Sequence, residues 1–284
     1  MKSYLYLAKE PGTGVRDDLS RISGEITIVD CLNAYGDYYR KKGYNCISKD
    51  EFFESNGMKF DVVIGNPPYQ KGKNSDFYVK FIQKSAELTN EGGVVTLVTP
   101  NRFILPHTPA SKAIVDNFQV EKYWIDVNHH FPGVGQNIGM FKVIRSNKGH
   151  NGVCDIELKD GEVIQLDPRE ITLPSRMPTV EGVDRFNKIK SLNHFTFTKK
   201  QPSHEKYVYV CRQWKSDDGR IYFDAEVGHS KTQEKRDGRY IETENPQEVC
   251  DYLRTTDYAI ELHKLFGDQM NIWPFLWDYI PSCL

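Results

Sequence analysis

Residues 60–70 read Phe-Asp-Val-Val-Ile-Gly-Asn-Pro-Pro-Tyr-Gln (FDVVIGNPPYQ), an apolar run that ends in a turn rich in proline. The run Phe60–Ile64 predicts a buried β-strand. Pro67 and Pro68 remove two backbone donors and fix φ at both positions, so the chain must leave the strand on a rigid, extended path. That rigidity holds two acceptors, the side-chain carbonyl of Asn66 and the backbone carbonyl before Pro68, at fixed positions.

Outward from this stretch, short apolar runs alternate with segments of helical spacing. The predicted strands are Tyr4–Ala8, Glu25–Val29, Tyr44–Ser48, Val94–Val98, Tyr123–Val127 and Gly139–Ile144. The predicted helices are Val15–Ile22, Leu32–Lys42, Asp76–Leu88 and Ser111–Phe118. This alternation predicts an α/β, Rossmann-like fold with a mostly parallel sheet covered on both faces. Beyond about residue 149 the elements become shorter and mixed, which predicts a smaller α+β region.

Three polar residues lie within two positions of the ends of predicted strands: Asp30, Asp50 and Asn66. Open α/β sheets bind their ligands outside the carboxyl ends of the strands. We therefore expect the three side chains to lie on one rim of the sheet and to line a site there.

The Asn66 turn suits a particular chemistry. Two acceptors that converge on one NH₂ group can bind both of its hydrogens. An exocyclic amine conjugated to a base ring is a poor nucleophile, and drawing on both N–H bonds favours a pyramidal nitrogen with a free lone pair. That lone pair can attack a sulfonium methyl group in line, with positioning supplying much of the acceleration. Tyr69 is placed to lie against a face of the base.

Residues 60–70 resemble the catalytic motif of amino-group methyltransferases that use S-adenosylmethionine. Two further stretches, Asn101–Ile104 and Phe131–Ile144 (FPGVGQNIGMFKVI), are similar to blocks of the gamma-class DNA adenine-N6 methyltransferases of restriction–modification systems. The resemblance implies an S-adenosylmethionine-dependent catalytic domain over residues 1–148 and a DNA target-recognition domain over residues 149–284.

The resemblance also implies roles for individual residues. The expected catalytic residues are Asn66, Pro67, Pro68 and Tyr69, and the residues expected to stack on a flipped adenine are Tyr69 and Phe131. A base must leave the duplex to reach such a site, and aromatic rings replace its lost stacking. The expected cofactor-binding residues are Glu10, Gly12, Gly14, Asp30, Asp50 and Asn66.

The sequence departs from the family in two places. The glycine turn Glu10–Gly14 is about two residues shorter than is usual. The family also has a cofactor-contacting segment upstream of the first strand, for which this chain has no room. We therefore expect either a truncated chain or a cofactor pocket that is open on one side.

Charge distribution bears on the partner more than the net charge of −2 does. Residues 185–240 hold 13 Lys/Arg against 7 Asp/Glu, a net of +6, between two acidic segments. Such a segment either contacts the phosphates of a nucleic acid or forms a solvated surface, and composition alone does not distinguish these two interpretations. With double-stranded DNA as partner, the expected DNA-binding residues are Lys199, Lys200, Lys231, Lys235 and Arg236.

Scattered cysteines, with no Cys-x-x-Cys pair, predict neither a zinc site nor a disulfide framework. We also expect no membrane span, a monomer, and a cytoplasmic location in a bacterial or phage-infected cell. Two other functions stay open: a methyltransferase acting on cytosine N4, RNA or a protein glutamine, and a DNA-binding remnant without catalytic activity. Phe131 and the long C-terminal region argue against the RNA and glutamine substrates.

Overall fold

The structure is a computed structural model. It describes residues 1–8, 19, 22–70, 76–106, 108–131, 134–170, 179–203, 206–215, 221–228, 238–266 and 280–282. The chain forms two compact units, Met1–Thr179 and Val180–Leu284.

A nine-stranded sheet dominates the first unit, in the order β3-β2-β1-β4-β5-β7-β6-β8-β9. Its strands are β1 (Ser3–Ala8), β2 (Glu25–Asp30), β3 (Asn45–Ser48), β4 (Phe60–Gly65), β5 (Thr89–Pro100), β6 (Phe118–Trp124), β7 (Ile138–Arg145), β8 (Cys154–Glu157) and β9 (Val163–Leu166). The strands β3-β2-β1-β4-β5 are all parallel, and β7 runs antiparallel between β5 and β6. The predicted α/β class with a mostly parallel, Rossmann-like sheet is confirmed.

Four described helices accompany this sheet: α1 (Gly36–Lys41), α2 (Lys49–Glu54), α3 (Phe77–Leu88) and α4 (Pro109–Val115). Two short 3-10 helices, Asn101–Ile104 and Asn128–His130, follow β5 and β6. The predicted helix Leu32–Lys42 is shorter in the structure, because residues 31–35 form a turn before α1. The predicted helix Val15–Ile22 lies outside the described residues, apart from Leu19 and Ile22.

Alternating burial explains why the region after α4 forms a strand. Phe118, Val120 and Tyr123 are buried, whereas Glu121 is exposed. The predicted strand Tyr123–Val127 therefore starts five residues earlier, at Phe118, and the predicted helix that precedes it ends at Val115. Helical spacing in the sequence misplaced this boundary, since Ile114 and Phe118 are also four residues apart.

Parallel pairing aligns the carboxyl ends of the central strands. Ala8 of β1 pairs with Asp30 of β2, which pairs with Ser48 of β3. On the other side, Leu7 of β1 pairs with Gly65 of β4. Asp30 and Asn66 thus leave the sheet at the same edge, as the sequence predicts. We call this the carboxyl edge.

Beyond β6 the sheet continues into a segment that the sequence analysis assigned to a second region. β8 pairs in parallel with β6, and β9 pairs antiparallel with β8. The first unit therefore ends at Thr179 rather than at residue 148. The physical reason is that the edge of β6 is completed by backbone pairing from residues 154–157.

The buried side chain of His150 bonds to β6 next to the point where this extension begins. Its Nδ1 accepts a hydrogen bond from the Val120 amide at 3.0 Å, and its Nε2 lies 2.9 Å from the Gly152 carbonyl. The ring is 4% exposed and supplies a partner for β6 just before β8 begins to pair at Lys122. Burial lowers the pKa of His150.

The second unit contains a three-stranded antiparallel sheet in the order β11-β10-β12. Its elements are α5 (Val180–Lys190), β10 (Tyr207–Lys215), β11 (Ile221–Val227), β12 (Arg239–Glu242), α6 (Pro246–Thr255) and α7 (Tyr258–Phe266). Side chains on one sheet face, including Val208, Val210 and Phe223, pack with Val249 and Leu253 of α6 in one apolar core. This mixed α+β composition agrees with the prediction for the C-terminal region. In the described parts of the chain, no helix has the length and apolar character needed to cross a bilayer.

Candidate active site at the carboxyl edge

Asn66 begins the turn that leaves β4. Its amide donates to the Leu7 carbonyl at 3.1 Å, which extends the β1–β4 pairing by one bond. Gly65 makes this close approach possible, because a Cβ at that position would lie 2.3 Å from the Leu7 carbonyl oxygen. Its φ of 148° also favours glycine. The two prolines that follow are buried, so Asn66 lies between a closely packed glycine and two buried prolines.

The Asn66 side chain has one end bonded and the other without a partner. It forms a hydrogen bond with the Tyr69 phenol. Burial raises the pKa of Tyr69 to about 12, and the bond with Asn66 opposes this rise. Asn66 Oδ1 is buried and has no hydrogen-bond partner among the described residues. A buried acceptor without a donor costs about 1–3 kcal/mol, and such groups are uncommon in folded proteins. The turn therefore presents an acceptor whose hydrogen bond is missing.

The neighbouring strand β5 ends at the same edge. The 3-10 helix after it places Asn101, which is 1% exposed, with its amide nitrogen donating to the Ile125 carbonyl at 3.0 Å. Arg102 forms an ion pair at 3.1 Å with Asp76, the residue just before α3. The end of β5 is thus tied both to the segment after β6 and to the start of the helix that follows the Asn66 turn.

Phe131 also lies at the carboxyl edge. β6 runs parallel to β5, because both are antiparallel to β7, so the loop after β6 emerges on the side of Asn66 and Asn101. The Phe131 amide donates to the Asn128 carbonyl at 2.9 Å, and the side chain is half-buried. The loop rejoins the sheet at Ile138, which pairs with Pro100. The structure therefore brings the two residues expected to stack on a base, Tyr69 and Phe131, to one edge.

Asp30 has a structural task that the sequence analysis did not predict. The residue is 3% exposed, and its two carboxylate oxygens accept backbone amides of the following turn, from Leu32 at 3.3 Å and from Tyr35 at 2.6 Å. The carboxylate therefore holds the turn before α1. Each oxygen retains acceptor capacity for a further donor.

Asp50 lies in the first turn of α2, a helix that the sequence analysis did not predict. The structure joins it to the Asp30 turn through Asn33, whose amide nitrogen donates to Asp50 Oδ2 at 2.9 Å while its Oδ1 accepts the Lys49 amide at 2.8 Å. Asn33 has a φ of 55°, a conformation that Asn tolerates better than most residues. Sequence reasoning missed this link. The available signal was a polar residue with turn preference three positions after Asp30.

A cavity of about 250 Å³ opens beside these residues. Its lining is mixed, polar and apolar, and comprises Asp30, Asn33, Ala34, Gly36, Asp37, Arg40, Ile47 and Ser48. Asp50 is not part of the lining but is held next to it by Asn33. The ends of β2 and β3 thus bound a pocket with carboxylate, amide and hydroxyl groups.

The other residues expected at the site are not located at the carboxyl edge by the structure. Glu10, Gly12 and Gly14 lie outside the described residues, and so do Lys231, Lys235 and Arg236. Lys199 and Lys200 are described and exposed, in a turn of the second unit. Within the described ranges, no group of three or more His, Cys, Asp or Glu is arranged to hold a metal ion.

Comparison with known proteins gives a partial match to one family. The Eco57I restriction-modification methylase family matches residues 17–131 of this chain. That range covers the strands β2 to β6, the Asn66 turn and Phe131. The chain is also similar to the Type II methyltransferase M.BstVI of Geobacillus stearothermophilus, with 31% identity over 96 residues. This alignment covers 26% of the chain and 17% of that protein.

Solved structures with a similar arrangement include a TehB-like SAM-dependent methyltransferase from Corynebacterium glutamicum, with a TM-score of 0.38 and 11% identity over 51% of this chain and 80% of that chain. Another is the N-methyltransferase NodS from Bradyrhizobium japonicum, with a TM-score of 0.37 and 10% identity over 51% of this chain and 85% of that chain.

Proposed function

We propose that the chain is an S-adenosylmethionine-dependent methyltransferase that acts on the N6 amine of a flipped adenine in DNA, as part of a restriction–modification system. The observation that carries this proposal is the buried Oδ1 of Asn66, an acceptor without a donor at the carboxyl edge of a Rossmann-like sheet. An amine that donates one hydrogen to this oxygen restores the missing bond. The similarity of residues 17–131 to the Eco57I methylase family supports the same reaction class.

In this proposal the turn activates the amine. Asn66 Oδ1 accepts one amine hydrogen and the Pro67 carbonyl accepts the other, so the nitrogen lone pair turns away from the ring. Tyr69 supports this geometry, because its bond to the Asn66 amide leaves the oxygen end for substrate. S-Adenosylmethionine, when bound, supplies an electrophilic methyl group on a sulfonium centre. Methyl transfer from the bound cofactor would form the N–C bond as the methyl–sulfur bond breaks and a neutral thioether leaves. The amine hydrogen that is bonded to Asn66 Oδ1 would then pass to water as a proton.

The described residues fit the adenosine part of such a cofactor. Asp30 retains acceptor capacity for a ribose hydroxyl, even though its oxygens already hold the turn before α1. One oxygen of Asp50 is taken by Asn33, and within the described chain the other has no hydrogen-bond partner, which leaves an acceptor for an exocyclic amine. The cavity beside the ends of β2 and β3 provides apolar surface from Ile47.

DNA is the proposed substrate because the described aromatic side chains suit a flipped base. Tyr69 and Phe131 are both half-buried and both emerge at the carboxyl edge, where an extruded base needs stacking partners. Exposed Lys199 and Lys200 are proposed to contact phosphates.

Two experiments test the proposal in sequence. Calorimetric titration of the 284-residue chain with S-adenosylmethionine should give saturable binding, and Asp30→Ala should weaken it by roughly 1.5–3 kcal/mol, the scale of a charge-assisted hydrogen bond. Because Asp30 also holds a turn, thermal unfolding of the variant must accompany the titration. Asp61→Ala serves as control, because the Asp61 carboxylate also accepts a backbone amide, that of Ser3 at 2.9 Å, but lies at the opposite end of β4.

Product analysis then identifies the substrate. The chain is incubated with labelled cofactor and genomic DNA lacking methylation, with RNA, or with a glutamine peptide, and the methylated product is identified by mass spectrometry. We expect N6-methyladenine in DNA. N4-methylcytosine, methylated RNA or methylated glutamine would replace the proposed substrate. Absence of cofactor binding would instead favour a DNA-binding remnant without catalytic activity.

A further inference from the structure

The loop that carries Phe131 is closed by the side chain of Asn128. The amide nitrogen of Asn128 donates to the Gln136 carbonyl at 2.9 Å, and its Oδ1 accepts the Ile138 amide at 3.0 Å. One side chain thus bonds two backbone groups at the far end of the loop, eight and ten residues along the chain. We call these two bonds the Asn128 clamp.

Bonds donated by two backbone amides brace the clamp from the sheet side. The Val127 amide donates to the Ile138 carbonyl at 3.1 Å, and the Asn128 amide donates to Asp126 Oδ1 at 3.0 Å. Phe131 in turn donates to the Asn128 carbonyl. The start of the loop is therefore fixed to β7 by Asn128 and its neighbours, and Phe131 is only three residues from this anchor.

The clamp lies where the proposed chemistry occurs. Ile138 pairs with Pro100, the last residue of β5, so the loop ends meet at the carboxyl edge. Exposed residues of the loop, among them His129, His130 and Val134, face solvent. Fixing both loop ends limits the positions that the Phe131 ring can adopt, and a ring held in advance stacks on a base at lower entropic cost.

We propose that Asn128 is a positioning residue for base flipping: its clamp holds the Phe131 loop in the conformation that receives the extruded base. This inference rests on the proposed function. Asn128 itself does not touch the reacting atoms, so its loss should reduce the flipped population without changing cofactor binding or the rate on a base that is already unpaired.

The test compares Asn128→Ala with Asn117→Ala. Asn117 flanks the opposite end of β6, and its amide also donates to a backbone carbonyl, that of Ala113 at 2.9 Å. Two DNA substrates are used, one with the target adenine paired and one with it opposite an abasic site. With paired DNA, Asn128→Ala should lower single-turnover methylation about tenfold, the scale of one to two lost hydrogen bonds. With the unpaired target, its rate should return to within about twofold of the parent.

A 2-aminopurine at the target position gives a second readout. Its fluorescence in the complex should fall in Asn128→Ala and stay at the parental level in Asn117→Ala, while calorimetric binding of S-adenosylmethionine stays unchanged in both. If Asn128→Ala does not fold, Asn128→Asp keeps the acceptor for the Ile138 amide but sets a carboxylate oxygen against the Gln136 carbonyl, which breaks that bond, and the same pattern is expected.

The outcomes separate the two proposals. Equal rates for parent and Asn128→Ala on paired DNA, or an equal loss on both substrates, would overturn the positioning role and leave the methyltransferase proposal standing. A parent chain that binds cofactor and DNA but methylates neither substrate would overturn the proposed function, and the inference with it.

Discussion

Asn66 and Phe131 lie at one edge of the sheet, and their substitution should affect different steps of the reaction. Asn66 Oδ1 is proposed to bind the amine as it becomes pyramidal, so its hydrogen bond strengthens in the transition state. Interactions of that kind affect the chemical step more than ground-state binding. Asn66→Ala should therefore reduce single-turnover methylation by about 10²-fold or more, with little change in DNA affinity.

The control for this prediction is Asn90→Ala. The Asn90 side chain donates to Asp61 at 2.9 Å, near the opposite end of the β4–β5 pair. The Asn90→Ala variant therefore loses a similar side-chain bond far from the site. Rapid-quench kinetics measure the rates. Parental methylation by Asn66→Ala would show that the Asn-Pro-Pro-Tyr segment is only a turn.

Phe131 is proposed to stack on the extruded base, an interaction worth roughly 1–3 kcal/mol per base. Phe131→Ala should lower the fluorescence of 2-aminopurine at the target position and reduce the rate on paired DNA. Phe131→Trp should keep much of the activity, because stacking requires only a π-face. A tryptophan variant as inactive as the alanine variant would argue that Phe131 packs in the protein rather than on a base.

At the level of elements, His150 makes the extension of the sheet sensitive to pH. The ring accepts the Val120 amide at Nδ1, a bond that only the neutral imidazole can form. Burial lowers the pKa of His150, so the unfolded chain takes up a proton at higher pH than the folded chain does. The contribution of His150 to stability is therefore present above the ordinary histidine pKa of about 6.5 and is lost as the pH falls toward the folded-state pKa.

The measurement is the thermal midpoint of unfolding between pH 8 and pH 5, a window chosen around the ordinary histidine pKa of about 6.5. His150→Asn offers an acceptor to Val120 but does not titrate, so its midpoint should fall less on acidification than that of the parent. His129→Asn, a change at an exposed histidine, should follow the parent profile. Parallel profiles for all three proteins would exclude His150 as a titrating group in folding.

The parallel core of the sheet could be predicted because its signals are local. Phe60–Ile64 and Glu25–Val29 are short apolar runs with turn chemistry at both ends, and both form strands. The helix α2 was missed although its signal was readable: Ser48 and Glu51 form a capping box, in which the Ser48 side chain accepts the Glu51 amide. Asp50 was consequently predicted only as a residue just beyond a strand.

Non-local contacts limit the prediction elsewhere. β8 and β9 were not predicted. β8 becomes a strand by pairing with β6, more than 30 positions earlier in the chain, and β9 pairs in turn with β8. At the site, the residue types of the Asn66 turn were readable from sequence. The Asn33 link and the Asn128 clamp were not, since each depends on which backbone groups the folded loops bring within reach.

For the molecule as a whole, the two units are proposed to divide the work between chemistry and DNA binding. Lys199 and Lys200 are exposed in the second unit, within the basic segment 185–240. If both contact phosphates, replacing them with Ala should make the plot of log affinity against log salt shallower by roughly 2, since each phosphate contact contributes about 0.9.

Lys41 and Lys42 provide the matched control, because they are also adjacent and exposed but belong to the first unit. Their replacement removes the same charge and should leave the salt slope close to that of the parent. Fluorescence anisotropy over a salt series measures both. Equal slopes for the two double variants would place the phosphate contacts elsewhere.

Gly139 of β7 lies where three segments of the carboxyl edge meet. A Cβ there would lie 2.6 Å from the Trp124 carbonyl oxygen, 2.9 Å from the Phe103 ring and 3.1 Å from Asn101 Cβ. By contrast, nothing lies within 4 Å of a Cβ at Gly135, in the Phe131 loop. Saturation mutagenesis under selection for methylation should thus recover glycine alone at 139 and many residues at 135. We therefore expect substrate preference to change through substitutions in the Phe131 loop, whereas Gly139 in β7 tolerates none.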